Sequence, residues 1–291
     1  MNGWLNINKN LGLTSFDIVK KVKKIFGIKK VGHAGTLDPF ATGVLPIAIG
    51  ECTRMIEYIT NNKKSYTFTI EFGKETDTLD LEGKIIKESK NLPSIEACQN
   101  VCSNFIGEIY QTPPKYSAIK IDGQRAYNLA RSGIDFDIQE RKIEIFDLKF
   151  LSFDEQRSRA SYSTICSKGT YIRSLARDIS YYIQTLGFIV ELRRDSVGKF
   201  LIGDSIHIDD ICHDHVLSTK KLLDDIPVFD VDEHLIGLVL NGGNVDLTNF
   251  ISELCTSDID LVALSNGINI FSFGKVRNKV YFPSKNFPLL A

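Results

Sequence analysis

The chain has 291 residues, 43% of them hydrophobic and 24% charged, with a formal net charge of −1. That is the composition of a globular protein with a sizeable core, long enough for one large domain and a small one. No uninterrupted apolar run approaches the roughly 20 residues of a membrane span, and Met1-Asn2-Gly3-Trp4-Leu5-Asn6 lacks the basic start and apolar stretch of a secretory signal, so the cytoplasm is the expected location.

Residues 4–9 alternate like a short strand, Gly12 breaks the pattern, and Thr14 or Ser15 can cap a helix over 15–26. Val19, Val22 and Phe26 share one face of that helix, and most of its lysines fall on the other. The run 32–46 follows, rich in glycine, threonine and proline and holding a single carboxylate, Asp38. Gly32, Gly35 and Gly43 permit backbone angles that other residues avoid. Pro39 fixes its own torsion and pushes Asp38 out of the helical region, so the carboxylate is presented by a loop. An apolar strand over 44–49 and a short helix over 53–60 come next. Residues 66–72 then alternate strictly, with Tyr66, Phe68, Ile70 and Phe72 on one side.

Residues 94–106 read as a helix capped by Ser94, with Glu96 in its first turn. Strands are expected over 116–121, 141–153 and 159–167. A helix over 170–185 carries Ile172, Leu175, Ile179 and Ile183 at three- and four-residue steps, and Gly187 ends it. Asp224-Asp225-Ile226-Pro227 marks a boundary, giving domains over 1–225 and 226–291. Beyond it lie a helix over 231–240, a turn at 241–244 and strands near 260–273 and 279–282. Strands and helices in irregular order, with few βαβ repeats, indicate an α+β fold.

Six cysteines, at 52, 98, 102, 166, 212 and 255, include no C-x-x-C pair. His213 and His215, with Asp210 and Asp214 nearby, read as a solvated turn because no third spaced ligand accompanies them, so no metal site is expected. Charge is unevenly spread. Residues 1–64 carry ten Lys and Arg against four Asp and Glu, residues 65–201 nineteen of each, and residues 202–291 six against thirteen. A nucleic-acid footprint would then lie on the N-terminal part, at Lys20, Lys21, Lys23, Lys24, Lys29, Lys30, Lys63 and Lys64.

The run 32–46 resembles the active-site motif of the TruB family of tRNA pseudouridine synthases. The resemblance continues through Lys64-Ser65-Tyr66, the run 73–80 from Gly73 to Asp80, Pro113-Pro114-Lys115-Tyr116-Ser117-Ala118, the run 166–173 from Cys166 to Arg173, and Leu192-Arg193-Arg194. It covers residues 1–205, with only a loose match beyond. It implies a pseudouridine synthase catalytic fold, with a mixed, largely antiparallel sheet flanked by helices, and a small C-terminal PUA-like domain. The implied reaction is isomerisation of the uridine at conventional tRNA position 55, in the T-loop of the T-arm.

Carried over position by position, the resemblance makes Asp38 catalytic, pairs it with Arg173, and gives Tyr66 both a catalytic and a substrate-binding place. Tyr171 and Leu192 match residues that line the uridine pocket, and His33 matches the histidine that stacks against the disrupted loop. The residue chemistry agrees. An aspartate has an unperturbed pKa of about 3.9 and is ionised at neutral pH. It can attack covalently or stabilise a departing sugar cation, and an arginine can hold it bidentately. A phenol can stack on uracil or help move the C5 proton. Nothing is oxidised, so no cofactor is expected, nor an obligate protein partner, and a monomer should suffice. A tRNA-folding chaperone acting without chemistry is the alternative, and a synthase for a different RNA or loop is a third. The chain departs from the family pattern at Asn10, where proline is common after the lysine, and at Phe40, where leucine is more usual; these bear on loop rigidity and pocket shape.

Overall fold

The computed structural model describes residues 1–223, 226–248, 250 and 258–287. The boundary expected at 225, like Cys255, lies outside them.

A ten-stranded sheet forms the body. Its path runs Ile206–His207, Gly3–Lys9, Thr42–Ile49, Gly187–Val197, Lys64–Phe72, Arg159–Cys166, Arg141–Asp154, Gly107–Gln111, with Val31–His33 and Phe200–Leu201 pairing beside it. Most pairs are antiparallel; Gly3–Lys9 with Ile206–His207, and Gly187–Val197 with Thr42–Ile49, are parallel. The alternation read over 66–72 buries Tyr66, Phe68, Ile70 and Phe72 against Ile172, Leu175, Ala176 and Ile179 of the helix Ile172–Tyr182. The helix Ser15–Phe26 has the expected bounds. Thr14 caps it by accepting from Asp17 N–H, and Gly27 ends it in the left-handed region.

Several elements differ from the sequence expectation. The helix expected over 94–106 is α-helical only over Ile95–Asn100 and continues as a 3₁₀ turn, Val101–Phe105, before Gly107 breaks out at φ +104°. The strand expected over 116–121 shrinks to Lys120–Ile121, paired with Gln124–Arg125 in a two-stranded ribbon of its own. Pro113 and Pro114 bring no N–H to such a ladder. Residues 112–119 instead form a loop above the sheet. The strand Gly187–Val197, central to the sheet, has no counterpart in the elements read from the sequence. Finally, the strand read near 260–273 is a hairpin of Ile259–Ser265 and Ile270–Arg277. Asn266 makes the turn by accepting from the N–H groups of Ile268 and Asn269.

The last segment forms a separate five-stranded sheet, ordered Val228–Asp230, Ile259–Ser265, Ile270–Arg277, Val280–Asn286, Val245–Asp246, with the helix Glu233–Leu240 beside it. It packs on the body through one shared apolar cluster, in which Trp4, Met55, Ile59, Val197 and Phe200 meet Leu223, Ile270, Phe273 and Phe287. Tyr58 stacks on Phe273, ring centroids 3.9 Å apart. Among the described residues, no helix is long and apolar enough to cross a membrane.

Candidate active site

Asp38 sits in the loop between Val31–His33 and Thr42–Ile49, and that loop is tied on several sides. The Pro39 carbonyl accepts from Gly12 N–H at 2.8 Å and from Lys9 Nζ at 3.2 Å. The Asp38 carbonyl accepts from Ala41 N–H at 3.1 Å, closing a turn. Behind it the buried Arg194 donates to the carbonyls of Gly35 at 3.0 Å and Val44 at 2.7 Å. Gly43 is a true requirement. Its φ is +100°, and a Cβ there would stand 2.3 Å from the Arg194 carbonyl oxygen.

Arg173, at the start of the helix Ile172–Tyr182, contacts five oxygens through its guanidinium, three of them by hydrogen bonds. Nε and Nη2 grip Asp38 bidentately, at 3.0 Å to Oδ2 and 3.2 Å to Oδ1. Nη1 donates to the Thr78 carbonyl at 2.9 Å and pairs with Asp80 Oδ2 at 3.2 Å, and Nη2 reaches the Tyr116 carbonyl at 3.0 Å. Side-chain exposure decides what each partner can do: Arg173 is 7% exposed and Asp80 3%, but Asp38 is 34% exposed, so one carboxylate anchors the arginine and the other faces open space. Burial pushes the pKa of Asp80 up, and the Thr78 hydroxyl and Arg173 hold it down. Leu79, between Thr78 and Asp80, adopts φ +63°, which turns both neighbours toward the guanidinium.

A cleft of about 1000 Å³ opens over Asp38 and is lined by Asp38, Tyr66, Tyr171, Arg173 and Leu192, with Asp80 and Arg194 at its floor. Ligand clefts run from about 300 to 1,000 Å³, so this one has room for a nucleoside and part of its strand. Burial, foremost, raises the pKa of Tyr66, leaving it a neutral phenol. The same cause raises Tyr171. Lys84, Arg131, Arg141, Lys142 and Lys168 outnumber Asp77 and Glu82 in the rest of the wall and make it basic.

Five of the six residues singled out by the sequence therefore line one cleft. His33 does not line it. It lies on the strand leading into the loop, its buried Nδ1 has no hydrogen-bond partner among the described residues, and burial, followed by the Arg194 charge, lowers its pKa. Lys64, grouped with the footprint lysines by its sequence, is buried instead. It shares the inward face of its strand with Tyr66 and donates to the carbonyls of Thr60 and Asn62, and burial lowers its pKa to about 8. Lys20, Lys21 and Lys30 pair with Asp17, Asp209 and Glu51, whereas the cleft's basic wall comes from the charge-balanced middle of the chain. Sequence reasoning also missed Lys9, Asp80 and Arg194. Arg194 was discoverable by period-two alternation from Leu192 once that segment is taken as a strand.

This combination, a mixed sheet with a loop aspartate gripped by a helix-borne arginine over an open cleft, belongs to the pseudouridine synthase class of folds. Two solved structures share the fold. One is a chain of a Cbf5–Nop10–Gar1 complex, with TM-score 0.71 and 23% identity, covering 94% of this chain and 78% of that one. The other is an H/ACA RNP bound to a substrate RNA containing 2′-deoxyuridine, with TM-score 0.68 and 22% identity, covering 94% and 77%.

A family model described as TruB family pseudouridylate synthase (N terminal domain) matches residues 23–172. The chain is 46% identical over 237 residues to the tRNA pseudouridine synthase B of Rickettsia bellii (strain OSU 85-389), covering 79% of this chain and 81% of the relative. It is 47% identical over 238 residues to that of Rickettsia felis (strain ATCC VR-1525 / URRWXCal2), covering 79% and 70%. The chain belongs to the TruB family of pseudouridylate synthases.

Proposed function

We propose that this enzyme isomerises the uridine at conventional position 55 in the T-loop of tRNA, acting in the cytoplasm as a monomer without an obligate protein partner or cofactor. The observation that carries the reading is Asp38: a carboxylate aimed into a nucleoside-sized cleft by a buried arginine. The relatives named above act on tRNA, and the basic wall of the cleft suits its phosphates. Residues 1–225 would be the catalytic domain and residues 226–291 a PUA-like module.

The uridine leaves its stack to enter the cleft, at a cost of a few kcal/mol. His33, kept neutral by burial, stacks where the base has left. Tyr171 and Leu192 hold the uracil and Asp38 meets the ribose C1′. The carboxylate supplies negative charge there as the C1′–N1 bond breaks; the uracil turns, C5 bonds to C1′, and the proton lost from C5 balances the one gained at N1. Tyr66, a neutral phenol against the ring, is placed to pass on that proton.

tRNA tritiated at uracil C5 should release its label with this protein, and Asp38→Asn should abolish release while tRNA still binds. A tRNA carrying cytidine at position 55 should release none, and undiminished release from it would move the target elsewhere in the RNA. Label retained with the parent protein, together with tRNA folding rescued by Asp38→Asn, would overturn the enzymatic reading in favour of a chaperone.

A further inference from the structure

Both neighbours of Asp38 in the chain are anchored, and the anchor before it is one hydroxyl. Ser15, the first residue of the helix Ser15–Phe26, is 3% exposed. Its Oγ accepts from Leu37 N–H at 2.9 Å and donates to the Leu37 carbonyl at 3.2 Å. One side chain thus satisfies both polar groups of the residue that precedes the aspartate, and the Leu37 side chain is itself sunk in the core cluster. Buried backbone groups without such a partner seek another conformation. The peptide between Leu37 and Asp38 would be the first to turn, because Pro39 on the far side is already held by Lys9 and Gly12. Thr14 caps the helix, so the Ser15 hydroxyl is not needed there. Ser15 is absent from the cleft lining.

We infer that Ser15 is a positioning residue for Asp38. It fixes the Leu37 peptide so that the carboxylate meets C1′ at reacting distance, and it does so without touching the RNA. The inference rests on Asp38 being the carboxylate at the sugar. Its signature is a loss of rate without a loss of binding, since a displacement of about 1 Å at a reacting group costs on the order of 100-fold.

The test compares parent, Ser15→Ala and Ser15→Thr in single-turnover tritium release with enzyme in saturating excess, alongside tRNA affinity, binding stoichiometry and far-UV circular dichroism. Ser15→Ala should lower the rate constant about 100-fold with Kd, stoichiometry and spectrum unchanged, and Ser15→Thr, which keeps an Oγ, should recover most of the loss. A parental rate constant in Ser15→Ala, a loss confined to stoichiometry, or equal slowness of the alanine and threonine variants would overturn the inference. Asp38→Asn assayed in parallel separates the two claims: release by that variant strikes the assignment of Asp38, whereas a parental Ser15→Ala with a dead Asp38→Asn strikes only the role of Ser15.

Discussion

Arg173 holds two carboxylates and two carbonyls at once, and that decides what its replacement does. A lysine there offers a point charge with three donors in place of a planar fork, and it cannot span Asp38, Asp80 and the carbonyls of Thr78 and Tyr116 together. Arg173→Lys should therefore reduce the rate constant at least about 100-fold with tRNA affinity little changed, measured by single-turnover release and by filter binding. Two lysines give the molecule a second residue-scale signature. Burial lowers Lys9 and Lys64 to about 8 from 10.5, so between those values the unfolded chain binds more protons than the folded one, and stability rises with pH. Denaturant unfolding from pH 7 to 10.5 should show a smaller rise in Lys64→Met than in the parent, and identical slopes would mean that Lys64 keeps its ordinary basicity in the fold.

Three strands and one helix meet to make the site, and the middle strand is the one the sequence hid. Gly187–Val197 runs parallel to Thr42–Ile49 through Arg193 and Arg194, and antiparallel to Lys64–Phe72, with Arg194 opposite Tyr66 and Leu192 opposite Phe68. It joins the aspartate loop to the tyrosine strand. Its sequence conceals this because it is buried on both faces at one end and bears charge at the other, so no clean alternation marks it. The close approach at Gly43 is the element's weak point. Gly43→Ala would press a Cβ into the Arg194 backbone at φ +100°, so it should cost about 3 kcal/mol, roughly 6 to 12 °C in Tm, and lower activity through the loop it displaces.

At the scale of the whole molecule, the acidic C-terminal sheet is bound to the body by core, not by charge alone. Phe273 lies in the shared cluster, stacked on Tyr58 and edge-on to Phe287, and Lys285 ties the sheet to Glu57. Phe273→Ala should cost about 3 to 5 kcal/mol. Trp4, the single tryptophan, sits in that cluster, so its fluorescence reports the junction directly. Fluorescence and far-UV circular dichroism should give coincident unfolding transitions; an earlier change at Trp4 would show the C-terminal sheet detaching on its own.

The sequence determined the α+β class, the helix Ser15–Phe26 with its cap and the tyrosine-bearing strand, because these rest on local propensity and short periodicity, and its resemblance to a known family singled out Asp38 and Arg173. Only the tertiary structure decided that Asp80 anchors Arg173, that Lys64 turns inward, that the basic wall rises from the middle of the chain, and that Ser15 holds the residue before Asp38. Each of these depends on which distant segments touch, and a carboxylate, a lysine or a serine carries no local mark of the partner that will bury it.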